Sequence, residues 1–211
     1  MVKSFENWEF EELQIAFGLE RLYEMPLLTE WTSAEVDFSD TEKQELQRLK
    51  SKLQRNAEVW NEDELKFFFL SHLIDLVGYE STQYKAFTQR KLSATIGNIE
   101  LKGVVDYMIA TGIQNPRQPF FFIHEYKQER KREADPLGQV LSEMLAAQTK
   151  NEHKYPLFGS YIVGRFWFFV VLADKQYSVS LAYDSTQEDI FKIVAILRKV
   201  KDYIEEHLKL L

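Results

Sequence analysis

The chain has 211 residues, 45% of them hydrophobic and 28% charged, with a net charge of −7; this is the composition of an ordinary globular protein that can bury a substantial core. The absence of Cys excludes disulfides and thiolate-bound metals and suits a cytoplasmic protein. The acidic start MVKSFENWEFEEL lacks a signal peptide's apolar centre, and the longest apolar run, FWFFVVLA at 166–173, is strand-sized, so no membrane partner is expected. The negative charge argues against a dedicated nucleic-acid coat but leaves room for an enzyme with a local basic groove.

Residues 5–24 carry Phe10, Leu13, Phe17 and Leu22 at roughly helical spacing, and Pro26 breaks the pattern. The stretch 39–60 predicts a helix capped by Ser39 or Asp40, with Leu46, Leu49 and Leu53 on one stripe. A second helix is predicted from the Asn61 cap, through Leu65, Phe68, Phe69, His72, Leu73 and Leu76, to a stop at Gly78. The period then changes to alternation over 82–96 and 98–111, with 120–127 as a third strand after the loop GIQNPRQP. Asp135 and Pro136 start a helix over 135–150. Strands at 158–164, 166–173 and 176–183 and a helix over 187–208 complete the chain. The expected fold is α/β or α+β, a central mixed sheet flanked by helices, with residues 1–56 as a helical extension and 57–211 as the main domain.

The apolar strand PFFFIHEYK ends by placing Glu125 and Lys127 two residues apart, hence on one face. Asp106 sits in the apolar strand one hairpin earlier, GVVDYMIA, where antiparallel pairing can bring it beside Glu125. Buried carboxylates are usually paired or bound to metal. Two of them beside an ammonium group suit a hard divalent ion, Mg²⁺ or Mn²⁺, with Lys127 acting on a bound water.

Asp106 followed by Glu125-Tyr126-Lys127 resembles the signature of the PD-(D/E)XK nuclease superfamily, with Val105 in place of the Pro. The helix–strand–strand–strand–helix–strand order over about residues 60–164 is similar to that superfamily's restriction-endonuclease-like core. The resemblance implies a metal held by Asp106, Glu125 and the backbone carbonyl of Tyr126, with Lys127 orienting the attacking water. It also implies a further acid on the preceding helix, Glu64 with Glu62 as the alternative, and a positioning role for Gln139 on the following helix. The implied activity is metal-dependent hydrolysis of phosphodiester bonds, in DNA of restriction or repair type, with a homodimer or protein partner supplying specificity.

Each of these residues also has a plainer structural role. Asp106 and Glu125 suit a strand-end ion pair with Lys127, a lysine at a strand end can simply extend to water, Glu64 has capping-box spacing from Asn61, and Gln139 can face solvent. Arg130, Lys131 and Arg132 in KQERKRE suit a phosphate-gripping loop or a solvated one; Arg90 and Lys91, after Gln89, suit DNA contact or an exposed strand face. The four His show no paired spacing, against a zinc site. The alternative function keeps the same fold as a catalytically weak binding or assembly module; a third possibility is an unrelated α+β protein in which the acids and lysine meet by accident.

Overall fold

A computed structural model describes residues 1–127 and 135–209. The alternating stretches form one mixed nine-stranded sheet and the amphipathic stretches pack on both of its faces. In chain order the elements are β1 (Val2–Ser4), α1 (Phe10–Phe17), β2 (Glu20–Arg21), α2 (Pro26–Thr32), α3 (Asp40–Asn56), α4 (Glu62–Leu65) and α5 (Ser71–Val77). Then follow β3 (Lys85–Ile96), β4 (Ile99–Thr111), β5 (Arg117–Lys127), α6 (Pro136–Lys150), β6 (Leu157–Val163), β7 (Phe166–Ala173), β8 (Gln176–Val179), β9 (Tyr183–Asp184) and α7 (Asp189–Leu208). Among the described residues no helix is long and apolar enough to cross a membrane.

The sheet runs β1-β4-β5-β6-β7-β8-β2, with β3 also on β4 and β9 also on β7. The β5–β6 pair is parallel and α6 makes the crossover between them. One core layer packs α6 and the N-terminal segment against the sheet through Phe5, Trp8, Leu13, Ile123, Val140, Leu141 and Met144. The other packs α2, α3, α5 and α7 on the opposite face, centred on the fully buried Trp31, whose ring meets Phe122, Phe158 and Phe169 edge-on. The Trp31 indole N–H donates to the Ile196 carbonyl at 2.8 Å, which satisfies the one polar atom of that buried ring.

Two expectations are corrected here. The first 56 residues are not a helical extension: β1 joins the sheet beside β4 and β2 joins it beside β8, and Phe5, Trp8, Leu13 and Trp31 are core residues. The helix expected from Asn61 to Gly78 is interrupted: Lys66–Leu70 is a π-helical turn between α4 and α5, a local widening often found at functional sites.

The N-terminal segment lies directly on α6, where the Phe10 N–H donates to Asp135 Oδ2 at 2.7 Å. Gly138 stands at this crossing, and a Cβ there would come within 2.3 Å of the Trp8 carbonyl oxygen and 2.8 Å of the Phe10 nitrogen. Gly→Ala in an exposed helix stabilises by up to ~1 kcal/mol. Gly138→Ala should instead destabilise by about 1–3 kcal/mol, because backbone must move to admit the methyl group. Urea denaturation of parent and variant measures the sign.

Candidate active site

The site forms where two paired strands part. The β4–β5 ladder ends at Tyr107–His124, and beyond it β5 continues beside β6 alone, with Glu125, Tyr126 and Lys127 opposite Tyr161, Ile162 and Val163. On the same edge of β4, β1 covers only Glu100 to Lys102. Asp106 therefore lies at the open end of the fork, one step past the last β4–β5 pair, and strand alternation gives it the same face as Glu125. The Tyr126 N–H, which has lost its ladder partner, donates to Asp106 Oδ2 at 3.3 Å. The Lys127 carbonyl accepts from the Gly164 N–H on the β6 side at 2.9 Å, so alternation turns the Tyr126 carbonyl into the fork.

From the other edge of β4, Gln89 reaches the same carboxylate, with Nε2 at 2.6 Å from Asp106 Oδ1. Gln89 interrupts the β3–β4 pairing between Thr88–Tyr107 and Arg90–Val105, and its φ is +51°. A left-handed, non-glycine residue in mid-strand is strained, and such strain gathers at functional sites. The π-helical turn supplies the next neighbour. Lys66 Nζ lies 2.6 Å from Glu62 Oε1, one turn back, and 3.0 Å from Asp106 Oδ1. Its ammonium also sits over the Tyr126 ring, 5.3 Å from the centroid.

Glu125 is 1% exposed. Lys127 Nζ is 2.6 Å from its Oε1, whereas its Oε2 has no hydrogen-bond partner among the described residues. On α6, Glu143 is fully buried. Gln139 Nε2 donates to its Oε1 at 3.2 Å, and its Oε2 is likewise without a partner among the described residues. Leaving a buried polar atom unpaired costs about 1–3 kcal/mol, and more if it is charged. Burial, reinforced by the Asp106 charge and only partly opposed by Lys127, pushes the Glu125 carboxyl up to about 8. Burial and the Glu125 charge likewise raise Glu143 well above the usual range. Burial pulls the Lys127 ammonium down, but the charge and hydrogen bond of Glu125 outweigh it and leave Lys127 raised.

Glu62, Asp106, Glu125 and Glu143 thus surround two ammonium groups, Lys66 and Lys127. With every group ionised, four carboxylates against two ammoniums leave an excess of two negative charges. Among the described residues no group of three or more His, Asp or Glu side chains converges as a ready metal cage. The donor chemistry is nonetheless that of a hard cation: oxygen atoms, two of them buried and unpartnered. Mg²⁺ needs only one or two carboxylates because it keeps much of its water.

The structure brings Asp106, Glu125 and Lys127 together, with the Tyr126 backbone between them. Glu64 is not part of that group: its Oε2 accepts from the Asn61 N–H at 2.9 Å while its own N–H donates to Asn61 Oδ1 at 2.9 Å. The capping box takes up Glu64, and Glu62 is the helix acid that reaches the site through Lys66. Gln139 is 7% exposed and acts on Glu143, not on Lys127 and not on solvent. Arg90 is half-buried and follows the strained Gln89 on an otherwise exposed stretch of β3. Lys91 is exposed and lines a separate groove of about 570 Å³ with Lys102 and Lys150, away from Asp106 and Glu125. Arg130, Lys131 and Arg132 lie outside the described residues. His124 is a core residue, packed among Phe122, Tyr126 and Trp167 and bonded through Nδ1 to the Ser160 hydroxyl.

Sequence reasoning missed Lys66 and Glu143 and saw in Gln89 a DNA contact or part of an exposed strand face. Glu143 did leave a signal, a carboxylate in the otherwise uncharged run PLGQVLSEMLAAQ and one helical turn from Gln139. Lys66, four residues after Glu62, reads as an ordinary surface pair.

The raised carboxyls fix a pH dependence for the metal-free protein. In the unfolded chain these groups ionise near pH 4.5, whereas folded Glu125 holds its proton to about 8. Between those values the folded state binds more protons, so stability is fullest below about pH 4.5 and is lost as pH rises towards 8. Melting temperature against pH in EDTA should fall across that window, and Glu125→Gln should flatten the fall. Parallel profiles for parent and variant would show that the carboxyl is not perturbed.

No protein-family model matches this chain and no curated protein matches it, so the chemistry of the site rests on its own geometry.

Proposed function

We propose that the chain is a metal-dependent phosphodiesterase acting on DNA, built on a restriction-endonuclease-like core of the PD-(D/E)XK type. The observation that carries this is the parted β4–β5 fork, which gathers Asp106, Glu125 and Lys127 while two buried carboxyl oxygens, on Glu125 and Glu143, have no partner among the described residues. Asp106, Glu125 and the Tyr126 carbonyl would hold Mg²⁺ or Mn²⁺, with Glu62 acting from the helix. A bound divalent ion supplies Lewis acidity towards a phosphate oxygen and lowers the pKa of a coordinated water.

The protein's own part is placement. Lys127 carries a proton-bearing ammonium at the strand end, held by Glu125 at 2.6 Å, where it can orient a water and offset charge on a phosphate. Gln89 and the Tyr126 N–H fix the rotamer of Asp106. Gln139 fixes Glu143. The basic run after Lys127, with Arg130, Lys131 and Arg132, would contact backbone phosphates.

A second function, a binding or assembly module on the same fold, is favoured by one feature: both Asp106 oxygens are already engaged, by Lys66, Gln89 and Tyr126.

Incubation with plasmid and linear DNA in Mg²⁺, Mn²⁺ or EDTA separates the two. The nuclease should cleave only with metal, and Lys127→Ala and Asp106→Asn should each lower the rate by about 100-fold or more. Glu62→Gln should cost more activity than Glu64→Gln, because only Glu62 reaches the site. Absent cleavage in the parent would favour the binding module, and cleavage that persists in EDTA would overturn the metal-dependent mechanism.

A further inference from the structure

We propose that Glu143 on α6 is a metal-ligating carboxylate, forming with Glu125 a two-carboxylate seat for a hard divalent cation at the base of the fork. This rests on the metal-dependent function above but assigns the ion to a residue that the Asp-Glu-x-Lys pattern does not contain. α6 packs on the face of the sheet that carries Glu125, and the Glu125 charge acts on the Glu143 carboxyl. Both residues are at least 99% buried.

Each carboxylate has a single donor on one oxygen, Lys127 for Glu125 and Gln139 for Glu143. That arrangement fixes the rotamers and leaves the second oxygen of each without a partner among the described residues. Two buried carboxyls on packed elements, each with one oxygen that has no partner among the described residues, are costly to bury as a purely structural pair. The donors are oxygens only, because Cys is absent from the chain and His124 packs on the opposite face of β5 among Phe122, Tyr126 and Trp167. This excludes the usual zinc ligand sets and fits Mg²⁺ or Mn²⁺. Asp106, with Lys66 on Oδ1 and the Tyr126 N–H on Oδ2, is the less available partner at first entry of the ion.

Calorimetric titration with Mn²⁺ and melting with Mn²⁺ or EDTA test this on the full chain. The variants are Glu143→Gln, Glu143→Met and Asp106→Asn. The parent should bind Mn²⁺ saturably and melt several degrees higher with it. Glu143→Gln should bind at least tenfold more weakly and lose most of that rise, while melting in EDTA no lower than the parent because a like-charge contact is gone. Glu143→Met, an apolar side chain of similar length, gives the same readout if the amide is poorly accommodated. Mn²⁺ affinity within twofold of the parent in a folded Glu143 variant, together with loss of binding in Asp106→Asn, would overturn the role of Glu143 and leave the metal-dependent function standing. A parent that binds no Mn²⁺ would overturn both.

Discussion

The parting of β4 from β5 after the Tyr107–His124 pair is the constraint on which the rest of this structure turns. Up to that point the two strands satisfy each other's backbone. Past it, an N–H, a carbonyl and three charged side chains must find other partners in a region that is largely shielded from water. The Tyr126 N–H takes the Asp106 side chain, and Gln89 leaves the regular strand conformation to take it from the other edge. Lys66 leans in from the π-helical turn. Each adjustment reduces the cost of burying Asp106, and none reaches the second oxygens of Glu125 and Glu143, which have no partner among the described residues. The fork is therefore balanced around Asp106 and unbalanced at its base.

That imbalance depends on how thoroughly α6 is covered. Residues Leu137 to Gln148 are all buried, which a helix on the surface of a sheet cannot achieve alone. The N-terminal segment lies over its outer side, anchored by β1 in the sheet and by the Phe10 contact with Asp135. Water is kept from Glu143 from two directions, by the sheet and by residues that the sequence suggests are peripheral. The low dielectric this creates raises the carboxyl pKa values, and it would also strengthen any interaction with a cation that enters.

Much of this was legible in advance, for identifiable reasons. The change of hydrophobic period near residue 82 marked the switch from helices to strands, and the caps at Ser39, Asn61 and Asp135 marked helix starts that the structure contains. Asp106, Glu125 and Lys127 stood out because charges on apolar strands need a reason. What stayed hidden depended on tertiary placement. The short β1 and β2 have no periodicity of their own and exist because longer strands offer them an edge. Glu64 and Glu62 are both acids in the first turn of a helix, and only the direction of Lys66 separates a cap from a site residue. A site role and a solvent-facing position for Gln139 could not be separated in the sequence, because nothing local announces that residues 1–19 cover the far side of α6.

The central claim is that the buried carboxyl groups at the base of the fork are a seat for a divalent cation. A crystal grown or soaked with Mn²⁺ and measured at the manganese absorption edge tests it most directly. The account predicts one strong anomalous peak within coordination distance of Glu125, with carboxylate oxygens of Glu143 or Asp106 and waters completing the shell. An empty fork at saturating Mn²⁺, or a peak only at surface carboxylates, would contradict it.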